Sequence, residues 1–153
     1  TLNVLIPLNA SGVTIHMQAY TDTGASCGIS NRVTQTLNSD PPTLNLVLTP
    51  LDPGVAGGTS TLTVTGAPPG ETIQFKYSFN TGSSVISGGI CDGQTLDLSS
   101  QFNIAMTTAD GSGIATLNVP IPLNGSGLTV HMQSYTDTGA SCGISNRVTQ
   151  ILE

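Results

Sequence analysis

Apolar residues recur at every second position along most of this chain. Leu44, Leu46 and Leu48 share one face, with Asn45 and Thr49 on the other. Leu62 and Val64 alternate with Thr61, Thr63 and Thr65, and Ile73, Phe75, Tyr77 and Phe79 alternate with Gln74, Lys76 and Ser78. A period of two is the mark of a half-buried strand. The 73–79 run holds most of the aromatic area, so it is expected at the centre of a sheet. Phe102, Ile104 and Met106 form one further face, and Ala115, Leu117, Val119 and Ile121 another. Leu128, Val130 and Met132 then oppose Thr129, His131, Gln133 and Tyr135. The last strand is predicted over Ile144–Leu152. Asn146 falls on the apolar face there, which suggests a bulge.

Turn residues separate these runs. Pro50 to Gly58, Gly66-Ala-Pro-Pro-Gly70 and Thr136-Asp-Thr-Gly-Ala140 read as turns, and Ala109-Asp-Gly-Ser-Gly113 as a hairpin connection. Gly82 to Ser100 is rich in Gly, Ser and Asp and reads as an irregular crossing. No helical period appears. Seven short strands with regularly spaced turns predict an all-β fold, an immunoglobulin-like antiparallel β-sandwich.

The pattern also repeats. Residues 1–37 recur at 116–152, an offset of 115 residues, with 31 of 37 positions identical. The expected organisation is a tandem repeat of period 115. Residues 1–37 are the last three strands of a preceding repeat, an incomplete sandwich half. Residues 38–43 are a Pro-rich linker, and 44–153 a complete repeat. Three strands lack half of both sheets and cannot bury their apolar face alone. The differences are mild. Pro120 stands where the first copy has Leu5, which suits an edge strand or strand end. Val13/Leu128 and Ile15/Val130 trade methylenes as a packed face requires.

Composition narrows the function classes. Charged residues make up 8% of the 153, yet Thr, Ser, Asn and Gln interrupt every apolar run, so no membrane insertion is expected in this segment. The net charge is −6, and Arg32, Lys76 and Arg147 are the basic residues. Three cations cannot neutralise a run of phosphates, which argues against nucleic acid.

Cys27, Cys91 and Cys142 are an odd count, but Cys27 is the copy of Cys142, so each unit owns two. A paired framework fits an oxidising, extracellular setting. Two pairings are open: Cys91 with Cys142 inside one unit, or a staple between units through Cys27 and Cys91. The first is preferred, because one sandwich can bring both segments within the few ångströms a bond needs. Cys27 then pairs with the equivalent cysteine of the preceding repeat.

Other chemistry is sparse. Asn9-Ala-Ser11 and Asn124-Gly-Ser126 are glycosylation sequons at matching positions in expected exposed loops, and a plain turn asparagine without sugar is the simpler reading. His16 and His131 sit on an expected outer strand face; one histidine per repeat does not make a metal site, and none is expected. Asp110 and Asp137 lie in Gly-containing turns without the spacing of a calcium loop. Lys76 is the one lysine, and its strand position allows an isopeptide cross-link to an asparagine, as in some pilus sandwiches; an ordinary surface lysine is the simpler reading. No nucleophile–base pair or cofactor motif is visible, so neither an enzyme nor a cofactor is expected.

The segments VTGAPPGETIQFKYSF, ICDGQTLDL, ADGSGIATLNVPIP and GLTVHMQSY…CGISNRV resemble an uncharacterised immunoglobulin-like β-sandwich repeat domain of secreted and surface proteins of environmental bacteria. The resemblance spans roughly Leu44–Val148 and rests on Cys91, Asp110, Gly113, Gln133 and Cys142-Gly-Ile-Ser145-Asn146. It implies a cell-surface location and structural use, with no assigned catalysis or ligand. Two near-identical tails depart from a single module and suggest a homopolymeric array. The expected function is a structural repeat or subunit of an extracellular bacterial filament, stalk or long surface protein. It would assemble head to tail with copies of itself, through tandem linkage or β-strand exchange, and glycans are further candidate partners. The alternative is an adhesin or carbohydrate-binding surface module, for which Tyr135, His131 and Gln133 on one outer face are the candidate platform.

Overall fold

A computed structural model describes residues 14–22, 27–36 and 44–153. The chain divides into two units, Thr1–Pro42 and Thr43–Glu153. In the first unit the strands are β1 (Thr14–Met17), β2 (Tyr20–Asp22), β3 (Cys27–Ile29) and β4 (Val33–Thr36). β1 pairs antiparallel with β4, Thr14 opposite Thr36 and Met17 opposite Val33. β2 pairs antiparallel with β3, Tyr20 opposite Ile29. The predicted linker 38–43 and the sequon at Asn9 lie outside the described residues.

The second unit continues with β5 (Val47–Leu48), β6 (Thr59–Thr65), β7 (Thr72–Ser78), β8 (Thr81–Val85) and β9 (Thr95–Leu98). It ends with β10 (Phe102–Thr108), β11 (Ala115–Pro120), β12 (Thr129–Thr136) and β13 (Val148–Ile151). One sheet runs in the order β10-β7-β12-β13, another β11-β6-β5, and β8 pairs with β9. Every pairing is antiparallel. This all-β arrangement is consistent with a β-sandwich.

The alternation read from the sequence explains the main core. Leu46, Leu48, Leu62, Val64 and Ala115 come from the three-stranded sheet and its flanks, and Ile73, Phe75, Val130, Met132 and Val148 from the four-stranded one; all are buried in one cluster. Strand β7 is an interior strand, as its aromatic density predicts, with β10 on one side and β12 on the other. Burying such side chains stabilises by about 1.5–3 kcal/mol each. The turn at 109–113 closes as expected. Asp110 Oδ1 accepts the N–H groups of Ser112 (2.8 Å) and Ile114 (3.0 Å), and Gly113 takes a φ of 76°. A Cβ at Gly113 would run into the Ala67 carbonyl oxygen, so a side chain is excluded there by both φ and space.

Two local expectations change. Residues 82–100 are not an irregular crossing: they contain most of the β8–β9 hairpin. That hairpin buries Ile86, Leu96 and Leu98 with Cys91 and Tyr135 in a second, smaller core. In β10 the register shifts between Asn103 and Ala105, so Phe102, Ile104 and Met106 do not share one buried face; Phe102 and Met106 are exposed. The irregularity expected at Asn146 is present: the pairing slips by one residue between Met132 opposite Val148 and Tyr135 opposite Ile144, and Asn146 lies in that interval. Its amide oxygen accepts the Leu48 N–H (2.9 Å) and its amide nitrogen donates to the Leu48 carbonyl (3.1 Å). Gln150 holds Leu51 the same way, at 2.8 and 3.0 Å. Two side-chain amides thus do for the β5 side of the three-stranded sheet what a further strand would do, satisfying its backbone groups.

Candidate functional site

The described residues of the first copy repeat the pairing of the second. The β1–β4 register maps residue for residue onto β12–β13, where Thr129 faces Ile151 and Met132 faces Val148. The β2–β3 pair of Tyr20 and Ile29 maps onto the bridge between Tyr135 and Ile144. Side-chain bonds follow. His16 Nδ1 lies 2.9 Å from Thr34 Oγ1, and His131 Nδ1 lies 2.9 Å from Thr149 Oγ1. Gln18 donates to the Ser30 carbonyl at 2.9 Å, as Gln133 does to Ser145 at 3.1 Å. The Ser30 hydroxyl accepts the Ala19 N–H, and the Ser145 hydroxyl accepts the Ser134 N–H, both at 2.9 Å. The same local sequence thus takes the same register in both units.

What differs is the cover. In the second unit β12 also pairs with β7, so His131 faces Ser78, Met132 faces Tyr77 and Gln133 faces Lys76. The β8–β9 hairpin covers its other face, where the Asp97 N–H donates to Gln133 Oε1 at 2.7 Å. Met132 is 1% exposed, Tyr135 4% and Val148 7%. Their copies Met17, Tyr20 and Val33 are 42%, 77% and 51% exposed. Ile29 is exposed too, whereas Ile144 packs on the second core. The described residues of the first unit thus expose apolar side chains whose copies in the second unit are covered.

The remaining expected sites resolve one by one. Cys91 and Cys142 are joined in a disulfide, with Cα atoms 4.9 Å apart. The bond ties the β8–β9 connection to the segment after β12, and it lies in the second core. The expected partner of Cys27 lies outside the described residues. Asn124 is exposed in a 3-10 turn, Leu123–Gly125. His131 is half-buried against Thr149. No group of three or more His, Cys, Asp or Glu converges among the described residues. No helix among them is long and apolar enough to cross a membrane.

The expected platform of Tyr135, His131 and Gln133 is corrected. Tyr135 and Gln133 are buried, because the β8–β9 hairpin lies over the face on which alternation places them. Burial, and after it the Asp137 charge, raises the Tyr135 hydroxyl above the ordinary tyrosine value. Lys76 sits in the same neighbourhood. Its ammonium lies 5.6 Å from the Tyr135 ring centroid, within cation–π range, and donates to Asn103 Oδ1. Burial lowers the Lys76 pKa below the ordinary lysine value, and the Asp137 charge partly restores it.

One apolar cleft of about 230 Å³ opens between the sheets of the second unit, lined among others by Leu51, Tyr77, Ile104, Val119, Leu128 and Leu152. Tyr77 stacks edge-on to Phe79, which also lines the cleft (5.6 Å between centroids), and tilted against Phe102 (5.3 Å). Sequence alternation gave no sign of this cleft, because Phe79 and Phe102 read as interior positions. No protein-family model matches the chain, and no curated protein matches it.

Proposed function

We propose that the chain is a structural repeat of an extracellular bacterial filament, stalk or long surface protein, built head to tail from immunoglobulin-like sandwiches every 115 residues. The observation that carries this reading is the hairpin present twice, with one register and one set of hydrogen bonds, covered in one copy and bare in the other. A surface that is bare beside a buried twin calls for the same cover: the half of a sandwich corresponding to Leu44–Gly113. Tandem linkage and strand exchange are the two routes to it. Exchange among chains of these 153 residues leaves one hairpin per chain bare, since two hairpins share one covering half. An array in which each unit supplies one of each balances, so tandem linkage is the better-supported route.

The disulfide suits an oxidising exterior. Low charge and Thr-rich outer faces let rods lie side by side or carry glycans at Asn9 and Asn124. In such an array stability adds from units and neighbour interfaces. Electron microscopy and denaturing gel mass of native material test the proposal together. Regular fibres with a band far above 15.6 kDa support a covalent array, and fibres with a band near that mass support subunit exchange. Native particles with no axial repeat would overturn both.

A further inference from the structure

We propose that Lys76 and Asn103 join in an isopeptide bond that ties β7 to β10 covalently. The two residues are direct partners across these antiparallel strands, Asn103 opposite Lys76, at the point where the register shifts before Ala105. Their side chains project to the same face, and the Lys76 nitrogen rests on the Asn103 carbonyl oxygen. The amine therefore already sits beside the carbonyl carbon it must attack. Asp137 lines the same pocket, together with the Tyr135 ring. Its carboxyl oxygen packs beside Gly89, where the absence of a side chain leaves it room. An amine, an amide, a carboxyl and an aromatic wall are thus gathered from β7, β10 and the end of β12.

The step balances without oxidant or cofactor. Lys76 Nζ, as the free amine, adds its lone pair to Asn103 Cγ. A proton passes from that nitrogen to Asn103 Nδ2, with the Asp137 carboxyl as carrier. The Cγ–Nδ2 bond breaks, ammonia leaves, and a secondary amide remains. Partial burial of Lys76 favours the free amine, since desolvation disfavours the ammonium. Fixed contact between the reacting groups replaces a bimolecular encounter. The inference stands on this pocket alone and does not depend on the filament reading. Unlike the Cys91–Cys142 bond, the link would survive a reducing environment.

Intact mass of the folded full chain, aged at neutral pH, tests it. The expected result is a deficit of one ammonia, and after proteolysis a branched peptide joining the segments around Lys76 and Asn103. Asn124-Gly125 can lose the same ammonia by closing to a succinimide, so the branched peptide is the decisive readout and must vanish in Lys76→Arg and in Asn103→Ala. Arginine keeps the charge but is no nucleophile under these conditions. A full-mass wild type, or a wild-type digest that lacks the branched peptide, overturns the proposal. The branched peptide is read on the wild type, so the result stands even where a variant fails to fold. Asp137→Asn is expected to slow formation at least tenfold; an unchanged rate overturns the role given to Asp137.

Discussion

Tyr20 faces Ile29 across its strand pair as Tyr135 faces Ile144, and only the second ring is covered. The two tyrosines share their local sequence and pairing, so the difference is wholly one of tertiary cover. Truncation should report this directly. Tyr135→Ala is expected to destabilise the chain by about 3 kcal/mol, the usual cost of removing a buried aromatic side chain. Tyr20→Ala is expected to stay within about 0.5 kcal/mol in the same measurement, as for an exposed site. Urea midpoints of the two variants check this. A large loss in Tyr20→Ala would mean its ring is covered in the chain as it stands.

The disulfide gives a second expectation. Cys91 and Cys142 are 51 residues apart in sequence. Closing a loop of that length is worth about 4 kcal/mol in the chain-entropy model. Guanidinium unfolding with and without reductant should differ by that order. The β8–β9 hairpin should open first, because Cys91 is part of the small core that holds it. Hydrogen exchange at Leu96 and Leu98 would register the opening.

Asn146 and Gln150 should matter beyond their exposure. Each satisfies both backbone groups of one residue, Leu48 and Leu51 respectively. Asn146→Ala leaves two backbone groups without partners and is expected to cost about 1–3 kcal/mol. Asn31 is the copy of Asn146, and no side-chain bond of it is present among the described residues. Asn31→Ala is therefore expected to be silent in the same thermal or urea melt.

Alkaline pH should weaken the fold through Tyr135. Its folded-state pKa lies above 10.0, so the folded state holds the phenolic proton where the unfolded chain has lost it. Stability supplied by the neutral phenol is therefore complete below pH 10.0 and falls as pH rises past it. Tyr135→Phe is expected to flatten that limb of the stability profile, measured by urea unfolding on either side of pH 10.0. A limb of equal slope in the variant would assign it to another group.

Much of the fold was legible because it rests on alternation. The faces of β6, β7 and β11, the interior place of β7 and the Asp110–Gly113 turn all follow from period-two pattern and turn chemistry. The pairing of Cys91 with Cys142 was the preferred of two readings. Alternation says which residues share a face but not what lies over it. Tyr135 and Gln133 were assigned to an outer surface for that reason. The hairpin that covers them has little pattern of its own, since Thr81-Gly-Ser-Ser-Val85 offers few apolar positions. Asn146 reads in the sequence only as an irregularity of the last strand, because a side chain that bonds backbone groups across the fold leaves no periodic trace. The Lys76–Asn103 contact depends on which strands become neighbours and in what register, and no local run of residues carries that information.

The β1–β4 strand pair has the register of β12–β13 while its side chains Met17 and Val33 stay exposed, and it is pinned by His16 on Thr34 and by the β2–β3 pair beyond. In a strand pair, a slip of one residue turns every side chain to the opposite face. A junction that had to choose its register while docking could present His16 where Met17 belongs. In the proposed array that choice would be made in advance, and joining one unit to the next would be a single placement of a preset edge. Errors at such a joint would be failures to join, not joints made out of step.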